Sequence, residues 1–259
     1  MVVGFLGAGN MGGAYIKALD KELFFYEPNK SRAIELERET KGKSVENLEE
    51  LLSKSDIIVL GVKPQILDKV LLELKTFDLS NKIIVTMVVG VKISHYEKYL
   101  GDIKIVRTMP NTPVQIKEGV TGASFHRLDE AEKLVVTEML ETCGLVLEVE
   151  EEKLDVITAI SGSGPAYVFM LINALADGGV RLGLSKPEAI KVASQTFLGA
   201  AKMVIETGMH PEVLKDMVTS PGGTTAQGLA KMEEYSMRSG MIETAKATYD
   251  KAKELGRKE

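Results

Sequence analysis

At 259 residues the chain is long enough to bury a sizeable core and to form two domains of ordinary size. With 44% hydrophobic and 27% charged residues it is not a disordered chain, and a net charge of -5 with a pI near 5.5 gives no basic footprint for nucleic acid. The single Cys143 excludes an internal disulfide, as expected in a reducing compartment, and its neighbours Met139, Leu140, Gly144 and Leu145 mark it as a buried structural thiol.

Val2–Leu6 opens a series of predicted strands, with no basic leader of the signal-peptide kind before it. Leu23–Glu27, Asp56–Val62, Ile83–Val88, Lys104–Thr108, Gly119–Ser124 and Leu145–Val149 continue the series. Helical patterns near Met11–Leu19, Lys30–Lys41, Leu48–Ser53, Gln65–Leu74 and Asp129–Thr142 lie between them. This alternation predicts an α/β fold of parallel strands joined by crossover helices. The longest mostly apolar run, Ile83 to Val91, is too short to span a bilayer, so a cytoplasmic protein with no membrane partner is expected.

The acidic stretch Glu148–Glu152 marks a boundary, dividing the chain into domains 1–151 and 152–259. Beyond it, periodic apolar positions predict helices over Ala166–Leu182, Pro211–Val218, Ala226–Met237 and Ile242–Arg257. Another helix opens at Ser185-Lys186-Pro187-Glu188, where Ser185 caps and Glu188 completes a capping box, and it stops at Gly208. These helices are apolar on more faces than a small bundle can cover, as in Val168–Ile172 and Phe197–Leu198, which implies a partner surface. Homo-oligomerisation through the helical domain is its simplest source.

Gly7-Ala8-Gly9-Asn10-Met11-Gly12 follows the first strand and opens a helix. In that setting GxGxxG has mechanical meaning: one glycine for the turn, one for approach of a pyrophosphate and one for helix–strand packing, with helix N-terminal amides facing the anion. Glu27 ends the second strand, where a carboxylate can accept from both ribose hydroxyls of NAD. Asn29-Lys30-Ser31-Arg32 follows at once, and it either holds a 2′-phosphate or forms a solvated helix face. Gly61-Val62-Lys63-Pro64 ends another strand at the ligand-binding edge of such sheets, as a cofactor contact or simply a strand end and helix start. Met109-Pro110-Asn111-Thr112-Pro113 makes a stiff loop there, and Asn111 and Thr112 face nicotinamide or satisfy the turn.

Ser220-Pro221-Gly222-Gly223-Thr224-Thr225 precedes the Ala226 helix. Adjacent glycines, small hydroxyls and helix N-terminal amides suit a carboxylate, and they also make an ordinary capping loop. Ser161-Gly162-Ser163-Gly164-Pro165-Ala166-Tyr167 is a hinge, a close helix crossing or a pocket wall. Glu151 and Glu152 are solvated or meet a substrate at the domain junction. There is no metal-ligand cluster, and His95, His126 and His210 lie outside these motifs.

Taken together the motifs resemble the pyrroline-5-carboxylate reductase family: FLGAGNMG at Phe5–Gly12, GVKP at Gly61–Pro64, MPNTP at Met109–Pro113, SGSGPAY at Ser161–Tyr167, ALADGGVRLGL at Ala174–Leu184 and SPGGTT at Ser220–Thr225. The resemblance implies an N-terminal Rossmann domain, an all-α C-terminal domain interlocking with a second subunit, and NADPH- or NADH-dependent reduction of 1-pyrroline-5-carboxylate to L-proline. It implies that Ser220, Gly222, Gly223 and Thr224 hold the substrate carboxylate, that the Thr225 hydroxyl lies against the ring nitrogen, and that Ser163 and Glu151 line the pocket. It also places Asn47, Val62, Lys63 and Pro64 on the cofactor side. Glu27 stands where NADPH-using members often carry a small hydroxyl, which favours NADH.

The protonated imine already presents an electrophilic carbon, so positioning is expected to dominate over acid–base chemistry. Two rival readings have weaker support. A hydroxyacid dehydrogenase would need a catalytic lysine, and Lys186, Lys191 and Lys202 sit in no site motif; a nucleotide-sensing regulator would not need the intact SPGGTT loop.

Overall fold

The computed structural model describes residues 1–256, which form two compact units: Met1–Ser163 together with the segment from Thr248 onward, and Gly164–Ala247. In the first unit eight strands make one sheet: β1 (Val3–Leu6), β2 (Leu23–Tyr26), β3 (Gly42–Ser44), β4 (Ile57–Leu60), β5 (Ile83–Thr86), β6 (Lys104–Pro110), β7 (Gly119–His126) and β8 (Gly144–Glu148). Their order is β3-β2-β1-β4-β5-β6-β7-β8, whose first six strands are parallel and follow the dinucleotide-binding order. The expected all-parallel pattern breaks at β7, which runs antiparallel to β6, with β8 parallel to β7.

Helices α1 (Asn10–Ala18), α2 (Lys30–Glu39), α3 (Leu48–Lys54), α4 (Pro64–Leu74), α5 (Ile93–Leu100) and α6 (Glu130–Glu141) belong to the same unit. Side chains alternate across each strand, so Ile57 and Val59 join Tyr15, Ile16 and Leu36 in one core, while Ile58 and Leu60 join Leu51, Leu67 and Leu71 in another. With both faces covered, β1, β4 and β5 are buried at every position, which is why they read as unbroken apolar runs.

Strand β3 and helix α5 were absent from the expected series, as was the short α-helical turn Leu154–Ile157. Strand β3 is three residues long with Lys43 at its centre, a charged edge strand, and Glu37 holds it by accepting from Ser44 N at 2.8 Å and Ser44 Oγ at 2.7 Å. Helix α5 has no side-chain cap of its own; packing defines it, with Tyr96 fully buried and its hydroxyl 2.6 Å from Thr86 Oγ1.

The helical run Glu151–Arg181 is 31 residues long. By length and composition it is long and apolar enough to cross a membrane, so the expectation that every apolar segment is too short is corrected. It contains α7 (Leu154–Ile157), a π turn over Thr158–Gly162 and α8 (Gly164–Arg181). The second unit continues with α9 (Lys186–Thr207), α10 (Pro211–Met217), α11 (Thr224–Glu234) and α12 (Met237–Gly256), the last of which passes into the first unit at Thr248. The expected end of α12 at Arg257 lies outside the described residues.

Helix α9 has the Ser185–Glu188 capping box and ends at Gly208 with φ 63°. Helices α8 and α9 pack through small residues, Ala176, Ala189 and Ala193, and a side chain at Gly179 would come within 3.2 Å of Ala189 Cβ. That core is small, so Phe169, Leu182 (90% exposed) and Ile205 (79% exposed) project outward.

Candidate active site

The glycine loop joins β1 to α1 at the carboxyl edge of the sheet. Its first residue, Gly7, has φ 92°, and its amide donates to Tyr26 O at 3.0 Å. A Cβ on Gly12 would stand 2.4 Å from the Gly7 carbonyl oxygen, and a Cβ on Gly61 would stand 2.5 Å from the same oxygen. Around Gly9 the nearest atom to such a carbon is 3.9 Å away. Gly7, Gly12 and Gly61 are therefore glycine for packing, and Gly9 is glycine for something that approaches from outside. Gly9 is also the N-cap of α1 and no side chain caps that helix, which leaves the amides of the Asn10-Met11 turn facing outward. A pyrophosphate fits this cradle.

The Glu27 carboxylate is held at the same loop: Oε2 accepts from Ala8 N at 3.0 Å and Oε1 accepts from Asn29 N at 2.9 Å. Arg32 does not lie on a solvated helix face. It bends over the loop, donating from Nε to Ala8 O at 2.5 Å and from Nη2 to Gly9 O at 3.1 Å, whereas Lys30 is exposed. Asn47 caps α3 by accepting from Glu50 N at 2.9 Å. Val62 packs within 3.1 Å of the position that a Gly7 side chain would fill, Lys63 is the N-cap residue of α4, and Pro64 occupies its first turn. The structure thus brings Gly7–Gly12, Glu27, Val62, Lys63 and Pro64 to one edge of one unit, with Asn47 following β3 along that edge.

Beyond β6, the Asn111 carboxamide satisfies the fold. Its Nδ2 donates to Ser161 O at 3.0 Å and its Oδ1 accepts from Val120 N at 2.9 Å. Glu151, expected among the pocket residues, has its Oε1 engaged by Ile93 N at 2.7 Å and Arg107 Nη1 at 2.9 Å. It caps α5 from 58 residues away and pairs with a buried arginine, a relation with no local sequence signal. Glu151→Ala is expected to lower the unfolding free energy by about 3 kcal/mol, because it strands the Arg107 charge, as urea denaturation would register.

Sequence reasoning left Gly61 and Arg107 out of the site. The glycine that ends a buried strand in GVKP was a usable signal for the first; nothing local marked the second. Cys143 is buried as expected, and burial pushes its thiol up from the ordinary range, away from nucleophilic use.

In the helical unit, Ser220–Gly223 forms a tight turn closed by Gly223 N donating to Ser220 O at 3.0 Å, with Gly222 at φ 70°. A Cβ on Gly223 would come within 2.4 Å of the rotatable Ser220 hydroxyl and 3.1 Å of the Ser220 carbonyl oxygen, a tight fit at the turn. Gly223 is the N-cap of α11 without a side-chain cap, and Thr224 and Thr225 form its first turn. Uncapped amides and two adjacent hydroxyls here offer donors of the kind that suit a small anion.

Residues 151–255 match the family model for pyrroline-5-carboxylate reductase dimerisation, and residues 2–104 match that for NADP oxidoreductase, coenzyme F420-dependent. The pyrroline-5-carboxylate reductase of Synechocystis sp. is 37% identical, over 99% of this chain and 98% of its own. Among solved structures, the Coxiella burnetii pyrroline-5-carboxylate reductase superposes with a TM-score of 0.91 at 33% identity, covering 98% of this chain and 97% of its own. The Plasmodium falciparum pyrroline carboxylate reductase, solved with NADP bound, gives a TM-score of 0.87 at 34% identity, covering 99% and 98%. A sheet in dinucleotide-binding order, its glycine loop and the helical unit with its SPGGTT turn therefore have end-to-end relatives, and this chain belongs to the pyrroline-5-carboxylate reductase family.

Proposed function

We propose that the protein is a pyrroline-5-carboxylate reductase, reducing the cyclic imine 1-pyrroline-5-carboxylate to L-proline with NAD(P)H, the last step of proline biosynthesis. The observation that carries this reading is the end-to-end family match with both the glycine loop and the SPGGTT turn intact. Gly7, Ala8, Gly9, Asn10, Met11 and Gly12 cradle the pyrophosphate, with Glu27 at the adenosine ribose and Asn47, Val62, Lys63 and Pro64 along the same edge. Bound there, the reduced nicotinamide supplies a hydride to the imine carbon. The Gly222, Gly223 and Thr224 amides and the Ser220 hydroxyl hold the substrate carboxylate, and Ser163 and Glu151 are further substrate-side residues. The Thr225 hydroxyl orients the ring nitrogen as its positive charge is lost, without acting as a strong acid.

Glu27 supports NADH as the preferred donor. Two backbone amides keep its carboxylate at the loop, where a 2′-phosphate would meet a like charge and ribose hydroxyls would meet an acceptor. Glu27→Ser is expected to shift the NADH-to-NADPH ratio of kcat/KM toward NADPH by about tenfold, roughly 1.4 kcal/mol, with Arg32 and Lys30 left to face the phosphate.

The exposed apolar side chains of α8 and α9 support a homodimer formed through the helical domain, and the dimerisation model that begins at residue 151 supports domains of 1–151 and 152–259. The apolarity of the Glu151–Arg181 run belongs to that subunit seam, in a cytoplasmic enzyme. Oxidation of NADH and NADPH in the presence of racemic pyrroline-5-carboxylate tests the assignment; absence of turnover with both nucleotides would overturn it.

A further inference from the structure

Two motifs that stand far apart in the chain, MPNTP and the Ser161-Gly162 opening of SGSGPAY, meet inside the first unit. In an α-helix the carbonyl of Ser161 takes its hydrogen bond from the amide of residue 165, and residue 165 is proline, which has no N–H. The Asn111 carboxamide donates to that carbonyl, with Nδ2 at 3.0 Å. Asn111 is 6% exposed, and Val120 N donates to its Oδ1 at 2.9 Å, so both ends of the amide are occupied and its orientation is set.

A steric contact reinforces the polar one. A Cβ on Gly162 would lie 2.6 Å from Met109 Cε, so the side chain two residues before Asn111 fills the space that Gly162 leaves open. The backbone between these contacts is the π turn over Thr158–Gly162, closed by Ser163 N donating to Thr158 O at 3.0 Å, five residues back. Turns of this kind are rare single-turn bulges in a helix, and they displace the following residue from the ordinary helical path.

We propose that Asn111 is a positioning residue: its carboxamide supplies the donor that Pro165 withholds from the Ser161 carbonyl, and it thereby fixes the π turn that presents Ser163. The consequence for turnover rests on the reading above that Ser163 lines the substrate pocket. Both polar ends of the Asn111 side chain are engaged within the protein.

The test is a double-mutant cycle of the full-length protein: native, Asn111→Ala, Pro165→Ala and both together. Pro165→Ala restores an amide hydrogen at the position where the Ser161 carbonyl expects one. Asn111→Ala is expected to raise KM for the imine about tenfold, the size of one lost buried hydrogen bond, while the Kd for NADH from fluorescence titration stays within about twofold. In the Pro165→Ala background the same change is expected to cost less than about twofold. Asn111→Asp at pH 8 keeps the acceptor toward Val120 but replaces the donor by a carboxylate oxygen facing the Ser161 carbonyl, and it is expected to lose at least as much as Asn111→Ala; if Asn111→Ala does not fold, Asn111→Ser, which keeps a small polar side chain, takes that place in the cycle. Equal losses in both backgrounds, or a loss of NADH affinity as large as the change in KM, would overturn the proposal. Amide hydrogen exchange over residues 158–166, which needs no substrate, is expected to quicken in Asn111→Ala and recover in the double variant. If the native chain does not reduce the imine, the assigned reaction falls and exchange alone decides the Asn111 role, which unchanged rates would refute.

Discussion

Gly9→Ala is expected to weaken NADH binding by about a hundredfold, roughly 2–3 kcal/mol, while leaving the unfolding free energy within about 0.5 kcal/mol of native. The neighbouring change Gly12→Ala is expected to lower stability by about 1–3 kcal/mol and to weaken the nucleotide as well. The two glycines differ in what surrounds them. An alanine methyl at residue 9 meets no protein atom closer than 3.9 Å, and the backbone there has φ -61°, which any residue adopts. Its cost is paid only when a phosphate needs that space. At residue 12 the methyl is driven to 2.4 Å from the Gly7 carbonyl, so β1 and α1 must separate before any ligand arrives. Fluorescence titration with NADH and thermal or urea unfolding of the two variants separate these effects. A Gly9→Ala protein that binds NADH like the native one would remove the pyrophosphate from this loop.

Thr225→Ala is expected to lower kcat about a hundredfold with the NADH Kd nearly unchanged, the loss typical of removing one preorganised donor at a developing charge. Thr225 belongs to the first turn of α11, directly after the Ser220–Gly223 turn, so its backbone position is set by the helix start. Removing the hydroxyl therefore leaves the amides for the carboxylate in place. Thr225→Ser keeps the oxygen and is expected to retain most of the rate, whereas Thr225→Val, of nearly the native shape, is expected to fall with alanine. Steady-state kinetics with varied imine resolve the pattern, and unchanged turnover in Thr225→Ala would take the residue out of the mechanism.

Much of this organisation was legible because it is local. Unbroken apolar runs at β1, β4 and β5, the GxGxxG spacing and the Ser185 capping box each express within a few residues the contacts they make. The elements that escaped detection depend on distant partners. Helix α5 is defined by the burial of Tyr96 and by a carboxylate contributed at Glu151, and neither is visible in Ile93–Leu100 itself. Strand β3 is legible only once Glu37 and β2 are beside it. The antiparallel turn of β7 follows from the short connection after Pro110, which is too brief for a crossover helix. For Glu151 the fold engages Oε1 with Arg107, a partner that no local pattern reveals; a sequence shows that a carboxylate is present, not which of its neighbours claims it.

The crowding at the Gly7 carbonyl oxygen has a consequence for how such chains diverge. A methyl group on Gly12 or Gly61 would be driven to 2.4 or 2.5 Å from that one atom, and a methyl group on Gly7, at φ 92°, would meet the end of β4 at 3.0 Å. Each of the three positions can acquire a methyl group only if the segment it faces retreats. The glycine of GVKP thus acts as a remote extra letter of the nucleotide-binding signature, and homologues that alter it are expected to carry compensating changes at the start of the chain.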